Sequence, residues 1–256
     1  MMTEQELLEN IIDIHTHYGP FGGFSFSPKE IMKKMKNIGI RRYAIMPAPM
    51  KNDNHIPDNH KVLEFMNQEG VEVIPILMTS PAMIKNDPLF KEVNNIPYKI
   101  IKIHPYAHNW NLYPDLVEVI LKQAQLKNVP VMIHTGMDES QPNNFKTWFK
   151  NYPNIQFILA HGRPANQTKE ILETYSNVWV DISFIEIKDI EIVSTEDNTD
   201  RILFGTDLPI PEIFFETSSE EYYNNRIKAL IDNFGTETIL KWGKYNTEKV
   251  LDIENT

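Results

Sequence analysis

Residues 11–19 read IIDIHTHYG, an isoleucine-rich run that leads directly into polar residues and a glycine. The apolar run predicts a β-strand over Ile11–Ile14. Side chains two residues apart on a strand point to the same face of a sheet, so Asp13, His15 and His17 are expected to share one face. Two histidines at the end of one strand can bind the same cation, which makes this stretch the first candidate for a functional site.

The same succession of apolar run, polar loop and helical stretch recurs along the chain. Eight apolar runs predict strands, at Ile11–Ile14, Tyr43–Met46, Val71–Leu77, Lys99–Ile103, Pro130–Ile133, Ile155–Ala160, Val178–Ile182 and Ile202–Phe204. Eight such units in 256 residues average about 32 residues, the size of one βα unit in a barrel of ~250 residues. An open doubly wound sheet is less consistent with the sequence because its GxGxxG phosphate turn is absent. We therefore expect an α/β fold, a single (β/α)8 TIM-barrel domain over residues 1–256.

Stretches with helical spacing lie between the predicted strands. The clearest is Pro28–Ile38, with Ser27 as N-cap and Pro28 at the first helical position. Further helices are predicted at Asp58–Asn67, Pro114–Lys127, Asn144–Asn151, Lys169–Tyr175, Ile187–Ser194, Glu220–Phe234 and Thr236–Leu251. The segment Pro81–Val93 has the weakest helical pattern.

The composition limits the kinds of site that the chain can build. With no cysteine among its residues, it has no thiolate zinc site, iron–sulfur cluster, disulfide or cysteine nucleophile. Its net charge of −10 argues against nucleic acid and anionic membranes as partners. No apolar run reaches the ~18 residues of a membrane span, and the opening MMTEQELLEN lacks signal-peptide features. We expect a cytoplasmic protein that acts on a small molecule, and the sequence leaves a homo-oligomer open.

Polar residues follow several predicted strands directly. His134 follows the fifth strand, His161 the sixth, and Asp207 comes three residues after the eighth. In a parallel barrel the C-terminal ends of all strands meet at one mouth, so these side chains are expected to lie close to His15 and His17. Because cysteine is absent, imidazole and carboxylate are the ligands available, and the pattern predicts a metal site.

Taken in order, these motifs resemble the amidohydrolase superfamily. They are similar to its branch that includes aminocarboxymuconate semialdehyde decarboxylase, resorcylate-type decarboxylases and small lactone hydrolases. The similar stretches are IDIHTH at 12–17, IIKIHP at 100–105, VPVMIHTG at 129–136, FKNYPNIQFILAHG at 149–162, ILFGTDLP at 202–209 and KYNTEKVL at 244–251. The resemblance runs the length of the chain, and it is more specific for the superfamily than for one reaction.

The resemblance implies that His15, His17, His134 and Asp207 hold one divalent metal, with His161 beside its water. Zinc suits nitrogen and oxygen ligands best, and manganese is the alternative. Such a cation lowers the pKa of a bound water from ~15.7 to about 7. Asp207 and His161 are then the expected catalytic residues: Asp207 takes the water's proton, and His161 orients the water or protonates a leaving group.

The fourth predicted strand leaves alternatives open. Lys102 and His104 share a strand face, and we expect both to contact the substrate. In binuclear relatives a carbamylated lysine bridges two metals, and Lys102 could do so with His134 and His161 on the second ion. A third reading is an ion pair between Lys102 and a buried carboxylate such as Asp13.

Other substrate contacts are predicted from position alone. Arg163 in AHGRP could hold a carboxylate, with a surface salt bridge as the alternative. Ser183 shares a face with Asp181 at the end of the seventh strand, and Tyr18 follows the HTH motif. The aromatic residues of the loop after the first strand are Phe21, Phe24 and Phe26. The remaining histidines are expected to be solvated in loops: His55, His60 and His108.

The predicted site supports three functions. The leading one is a hydrolase in which metal-activated hydroxide attacks the carbonyl of a small lactone, ester or amide that carries a carboxylate. The first alternative is non-oxidative decarboxylation of an aromatic or unsaturated acid, since the resemblance covers both reactions. The short chain leaves little room for the insertions of the larger decarboxylases, which favours the hydrolase. The remote alternative is a non-catalytic metal-binding barrel, which would have a closed coordination sphere.

Overall fold

Eight parallel strands form the centre of the fold. The computed structural model describes residues 2–52, 54–66 and 68–253. Its strands are β1 Ile12–Phe21, β2 Phe24–Phe26, β3 Arg42–Pro47, β4 Glu72–Met78, β5 Ile100–Ile103, β6 Val131–His134, β7 Phe157–Ala160, β8 Val178–Asp181 and β9 Ile202–Leu203. β2 pairs antiparallel with the end of β1, and every other pairing is parallel in the order β1-β3-β4-β5-β6-β7-β8-β9. All eight predicted strands overlap these parallel strands, whereas the β1–β2 hairpin was not predicted.

The sheet closes on itself through β1 and the segment after β9. The amide of Ile14 donates to the carbonyl of Phe204 at 3.0 Å, and the amide of His17 donates to Leu208 at 2.7 Å. In return, the amide of Asp207 donates to the carbonyl of His15 at 2.8 Å. These bonds confirm the predicted TIM barrel, and they bring the HxH motif directly beside Asp207.

The helices lie around the barrel. They are α1 Glu4–Asn10, α2 Pro28–Ile38, α3 Pro81–Asn86, α4 Pro105–His108, α5 Pro114–Lys127, α6 Lys146–Asn151, α7 Ala165–Thr174, α8 Ile187–Val193, α9 Ile210–Phe215, α10 Ser219–Phe234, α11 Thr236–Leu240 and α12 Asn246–Val250. Ser27 caps α2 as predicted, because its hydroxyl accepts from the amide of Glu30 while the Glu30 carboxylate accepts from the amide of Ser27. No helix among the described residues is long and apolar enough to cross a membrane.

Several helix predictions need correction. The segment predicted as a helix at 58–67 is a 3₁₀ helix over Asn59–Glu64, and Asn67 itself lies outside the described residues. The predicted helix at 81–93 ends at Asn86, because the following residues form turns. The single closing helix predicted at 236–251 contains a π-helical turn, Lys241–Tyr245, between α11 and α12.

One irregularity in β1 decides which side chains enter the barrel. β1 pairs Asp13 with Tyr43 and Thr16 with Ile45, so it has one more residue than β3 between these two pairs. Such a β-bulge shifts the in–out alternation of the strand by one residue. The prediction that Asp13 shares the face of His15 and His17 is therefore wrong, because the bulge lies between them.

The apolar core has two layers. One fills the interior of the barrel and contains Ile12, Ile14, Ala44, Met46, Ile74, Ile76, Met78, Ile100, Met132, Ile158, Trp179 and Leu203. The larger one lies between the strands and the helices, and Tyr43 belongs to it. The interior layer fills the barrel below the mouth, so a ligand that enters from this end can lie at the mouth but no deeper.

Candidate metal centre and pocket

Three side chains of types that can bind a metal ion meet at the mouth of the barrel. His15 and His17 come from β1, and Asp207 comes from the loop that follows β9. The Nε2 atoms of the two histidines are 3.1 Å apart. Oδ1 of Asp207 is 3.3 Å from Nε2 of His15 and 2.9 Å from Nε2 of His17. All three residues are buried, so their ligand atoms converge on one shielded point.

These spacings fit ligands around a divalent cation. Two atoms that each lie about 2.0–2.2 Å from one zinc ion are about 2.8–3.6 Å apart at angles of roughly 90–110°. The other ring nitrogens are also held: Nδ1 of His15 lies 2.6 Å from Oδ2 of Asp181, and Nδ1 of His17 lies 3.3 Å from the carbonyl oxygen of Pro47. An acceptor at Nδ1 keeps the proton there and leaves the Nε2 lone pair for a metal. Distance and tautomer therefore both suit a metal ion.

His161 lies beside this group with a nitrogen directed into the pocket. Its Nδ1 is 3.1 Å from the carbonyl oxygen of Ser183, so Nδ1 donates and Nε2 carries the lone pair. Burial lowers the pKa of His161 well below its ordinary value, which keeps the imidazole neutral. His161 and Asp207 both have left-handed backbones, with φ of +71° and +63°. Non-glycine residues with positive φ are uncommon and concentrate at functional sites.

His134 lines the same pocket but does not join the three converging ligand atoms. Its Nδ1 lies 3.1 Å from Nε2 of His161. Its ring stacks on that of His104, with centroids 3.9 Å apart. Burial and the neighbouring cationic groups lower the pKa of His134, so it too is a neutral imidazole with a lone pair to offer.

Ser183 supports the histidines and does not line the pocket, so its predicted contact with substrate finds no support. Its hydroxyl donates to Oδ2 of Asp181 at 2.7 Å and lies 3.1 Å from Nδ1 of His161. The Asp181 carboxylate also accepts from the amide of Ser183 at 2.8 Å. Burial raises the pKa of Asp181 to about 6, and the carboxylate is still mostly ionised at neutral pH. A side chain on Gly205 would collide with Asp181, which explains the glycine in the FGTD stretch.

Asp13 lies on the outer side of the sheet and is not paired with Lys102. It sits opposite Tyr43, which packs in the layer between strands and helices. Its carboxyl group accepts from the amides of His15 and Thr206, each at 3.1 Å, and contacts the Thr206 hydroxyl at 2.5 Å. The ion pair considered for Lys102 and Asp13 is therefore wrong, because the bulge places the two groups on opposite faces of the sheet.

Lys102 is a buried cation without a partner in the described part of the chain. It lines the pocket with 1% of its surface exposed, and its Nζ makes no hydrogen bond there. Burial lowers its pKa to about 8, although the charges of Asp207 and Asp181 oppose that effect. His104 follows it at the end of β5, where its Nδ1 accepts from the amide of Ala107 at 3.2 Å. Both residues are in a position to contact a bound molecule.

Arg163 is the second cation at this site. It lines the pocket, is partly exposed and forms none of the ion pairs found among the described residues. Its Nε has no hydrogen-bond partner there, and its guanidinium lies 5.9 Å from the centre of the Phe184 ring. A side chain on Gly136 would press against this guanidinium, so the glycine of the HTG stretch makes room for it. The surface salt bridge considered for Arg163 is absent from these residues.

Tyr18 does not face the pocket. Its ring packs against Phe65 with centroids 5.3 Å apart, and its hydroxyl donates to the carbonyl of Asp58 at 2.9 Å. Tyr18 lies two residues after Thr16, beyond the bulge, and the side chains of both residues are on the outer side of β1. The predicted contact of Tyr18 with substrate therefore lacks support, because the side chain anchors a loop.

The pocket at the mouth has a volume of about 320 Å³. Besides the groups above it is lined by Phe21, Pro49, Lys51, Tyr106, Ala107, Met137, Phe184, Ile210 and Phe214. Of these, only Phe21 was proposed from the sequence. The others come from the loops and short helices that follow strands, and their position after a strand was the one signal that could have pointed to them. The result is a polar floor beneath a largely apolar wall.

The remaining histidines differ from one another. His60 is exposed, with Nε2 3.1 Å from the carbonyl oxygen of Glu92, as expected for a loop histidine. His55 is half-buried, which lowers its pKa. His108 is fully buried at the end of α4, near His104, so a solvated position is wrong for it.

Comparison with known families identifies the class of protein. A family model described as "Amidohydrolase" matches residues 91–253, more than half of the chain. The chain belongs to this amidohydrolase family, and the predicted resemblance and enzymatic nature are confirmed at that level. No significant match was found among curated protein sequences.

Solved structures share the fold at low sequence identity. An amidohydrolase from Burkholderia multivorans with bound zinc has a TM-score of 0.71 at 10% identity, over 95% of this chain and 99% of that one. The 5-carboxyvanillate decarboxylase from Novosphingobium aromaticivorans, in complex with manganese, has a TM-score of 0.69 at 12% identity, over 98% of each chain. A probable 2-pyrone-4,6-dicarboxylic acid hydrolase from Acinetobacter baumannii has a TM-score of 0.66 at 13% identity, over 95% and 100%. Similar structures thus include zinc and manganese proteins, hydrolases and decarboxylases.

Proposed function

We propose that this protein is a metal-dependent hydrolase that opens a small lactone, ester or amide carrying a carboxylate. The observation that carries the proposal is the pairing of two features in one pocket. His15, His17 and Asp207 converge as metal ligands, and Lys102 and Arg163 line the same pocket without an acidic partner of their own among the described residues. A buried cation is costly unless it is paired, so these groups are suited to receive an anionic substrate.

In this proposal His15, His17 and Asp207 hold the metal, and His134 is the fourth ligand because it lines the same pocket. Zinc is the proposed ion, with manganese as the alternative. When bound, a divalent cation supplies Lewis acidity, which polarises a carbonyl and lowers the pKa of water. The neutral imidazole of His161 accepts a proton through the lone pair on Nε2 and passes it to the leaving group, and the Asp207 carboxylate shares this role. General acid–base groups of this kind contribute about 10²- to 10⁴-fold to a rate.

Lys102 and Arg163 orient the substrate. The Arg163 guanidinium can bind a carboxylate through two parallel hydrogen bonds, whereas the Lys102 ammonium acts as a compact point charge deeper in the barrel. Fixing the carboxylate in this way places the scissile carbonyl over the metal ligands and lowers the entropic cost of the reaction.

Decarboxylation of an aromatic or unsaturated acid is the second candidate. It is favoured by the aromatic wall of the pocket, where Phe184 lies 5.7 Å from Phe214 and Phe214 lies 6.1 Å from Phe21, measured between ring centroids. Aromatic side chains at these separations can pack against a planar ring. In that reaction Lys102 and Arg163 would bind the carboxylate that is lost as carbon dioxide.

The test is a substrate panel of lactones, esters, amides and phenolic acids, given to protein reconstituted with zinc or manganese. Acid release and carbon dioxide are followed separately. The proposal expects acid release without carbon dioxide, and only from compounds that carry a carboxylate. Carbon dioxide without acid release would replace it by the decarboxylase.

A further inference from the structure

In β1 the regular alternation of side chains between the barrel interior and the outer face is broken after Ile14. Ile12 and Ile14 both pack in the barrel interior. Regular alternation from Ile14 would send His15 and His17 to the outer face. The structure places both histidines at the pocket instead. The register accounts for this, because the bulge between Asp13 and Thr16 adds one residue at Ile14 and His15. The metal-binding pair therefore depends on the bulge.

A bulge leaves a backbone amide without its usual partner in the ladder. Here that amide belongs to His15, and it donates to Oδ1 of Asp13 at 3.1 Å. The same oxygen accepts from the amide of Thr206 at 3.1 Å, and Oδ2 contacts the Thr206 hydroxyl at 2.5 Å. Asp13 is fully buried, so removing its carboxyl group takes away the protein acceptor of these buried donors.

These contacts join the two segments that carry the metal ligands. Thr206 directly precedes Asp207, and its hydroxyl also accepts from the amide of Leu208 at 3.2 Å. The Asp13 carboxyl group thus contacts the bulge, at the amide of His15, and the turn that carries Asp207, at Thr206.

We propose that Asp13 is a positioning residue for the metal centre: it holds the β1 bulge that turns His15 and His17 inward and ties that bulge to the Asp207 turn. The inference rests on the metal site of the proposed function. It does not depend on which reaction the enzyme catalyses.

The experiment compares Asp13→Ala with Asp13→Asn. Asparagine keeps an oxygen for the two amides and an NH2 group for the Thr206 hydroxyl, whereas alanine keeps neither. We expect Asp13→Ala to lower zinc affinity, measured by competition with a chromophoric chelator, by about 10- to 100-fold. Asp13→Asn is expected to restore most of that affinity. In metal-free protein, hydrogen exchange at the His15 amide should become about tenfold faster in Asp13→Ala, a change that corresponds to about 1.4 kcal/mol for the lost hydrogen bond.

Asp87→Ala is the matched control. Asp87 is another buried aspartate whose carboxylate accepts from two amides, those of Lys91 and Glu92 at 2.9 and 2.8 Å, and it does not line the pocket. It should lower stability without lowering zinc affinity. Equal zinc affinity in Asp13→Ala and Asp87→Ala would overturn the proposal, as would an Asp13→Asn variant as impaired as Asp13→Ala.

Two further measurements keep the test decisive. If Asp13→Ala does not fold, Thr206→Val removes the hydroxyl contact from the opposite side. Zinc affinity equal to wild type in that variant would overturn the proposal, and a reduced affinity supports it. If the wild-type protein binds no zinc or manganese, the proposed function fails. Exchange at the His15 amide then still decides whether Asp13 holds the bulge.

Discussion

Replacing Lys102 by methionine should make the protein more stable and less active at once. The side chain is 1% exposed and its Nζ has no hydrogen-bond partner within the described ranges. Burial lowers the pKa of Lys102 from 10.5 to about 8, a difference of about 3 kcal/mol at about 1.36 kcal/mol for each pH unit. The ammonium thus destabilises the folded state by about 3 kcal/mol below pH 8. Methionine has a similar length and no charge, so it removes this cost.

In metal-free protein the melting temperature of Lys102→Met should rise by about 6–12 °C at pH 7, from about 2–4 °C for each kcal/mol in a chain of this size. The gain should shrink as the pH rises from about 8 to 10.5, since the folded protein then holds a neutral lysine while the unfolded chain still binds the proton. Lys33→Met, at an exposed lysine, is the control and should change stability by less than about 0.5 kcal/mol.

The activity of Lys102→Met should fall while its stability rises. Truncating one partner of a buried charge pair costs about 2–5 kcal/mol, which corresponds to about 30-fold to several thousand-fold in kcat/KM. The assay measures kcat and KM for the best carboxylate-bearing substrate, and calorimetry measures stability on the same preparations. A melting temperature that falls in Lys102→Met would refute the reasoning, because it would mean that the ammonium is paired in the folded protein. An unchanged kcat/KM would remove Lys102 from substrate binding.

The other predictions concern the groups around Lys102. In the proposed function the substrate carboxylate pairs with the Lys102 ammonium, so kcat/KM should fall as the pH rises through about 8, and Lys102→Arg should remove that alkaline decline; a decline that persists in the arginine variant assigns it to another group. His161→Asn should keep its metal and lose about 10²- to 10⁴-fold in kcat, and full turnover would exclude His161 from proton transfer. Arg163→Ala should raise KM for a carboxylate substrate far more than for its methyl ester, and equal effects on both would contradict a carboxylate contact.

The sequence predicts the strands and the strand-end residues because both depend on local pattern. An apolar run followed directly by His134, His161 or the GTD stretch indicates a strand and its C-terminal end. Closure of the barrel then brings those ends together, whatever the details of the loops. This is why the mouth of the barrel and most of its polar residues could be predicted.

The errors arise where a residue depends on contacts distant in sequence. At the bulge, the Asp13 carboxyl group accepts from the amide of His15 and from the amide of Thr206, which lies far along the chain across the closed barrel. Period-two reasoning cannot detect this bulge. Tyr18 was predicted to contact substrate because it directly follows the HTH motif, and its contact with Asp58, 40 residues further along the chain, is not visible in the local pattern. Ser183 shows the same limitation, since its hydroxyl is engaged by Asp181 and His161 rather than left free for a ligand. Its sequence position alone does not distinguish these roles.

The metal content of the purified protein tests the central claim most directly. Elemental analysis by mass spectrometry should find one equivalent of zinc or manganese per chain in the wild-type protein and in His60→Ala, which changes an exposed histidine. His17→Ala and Asp207→Ala should each lose the metal, because each removes one of the three converging ligand atoms. A wild-type protein that stays metal-free after reconstitution would contradict the account. Two equivalents per chain that disappear in Lys102→Ala would show a binuclear centre instead.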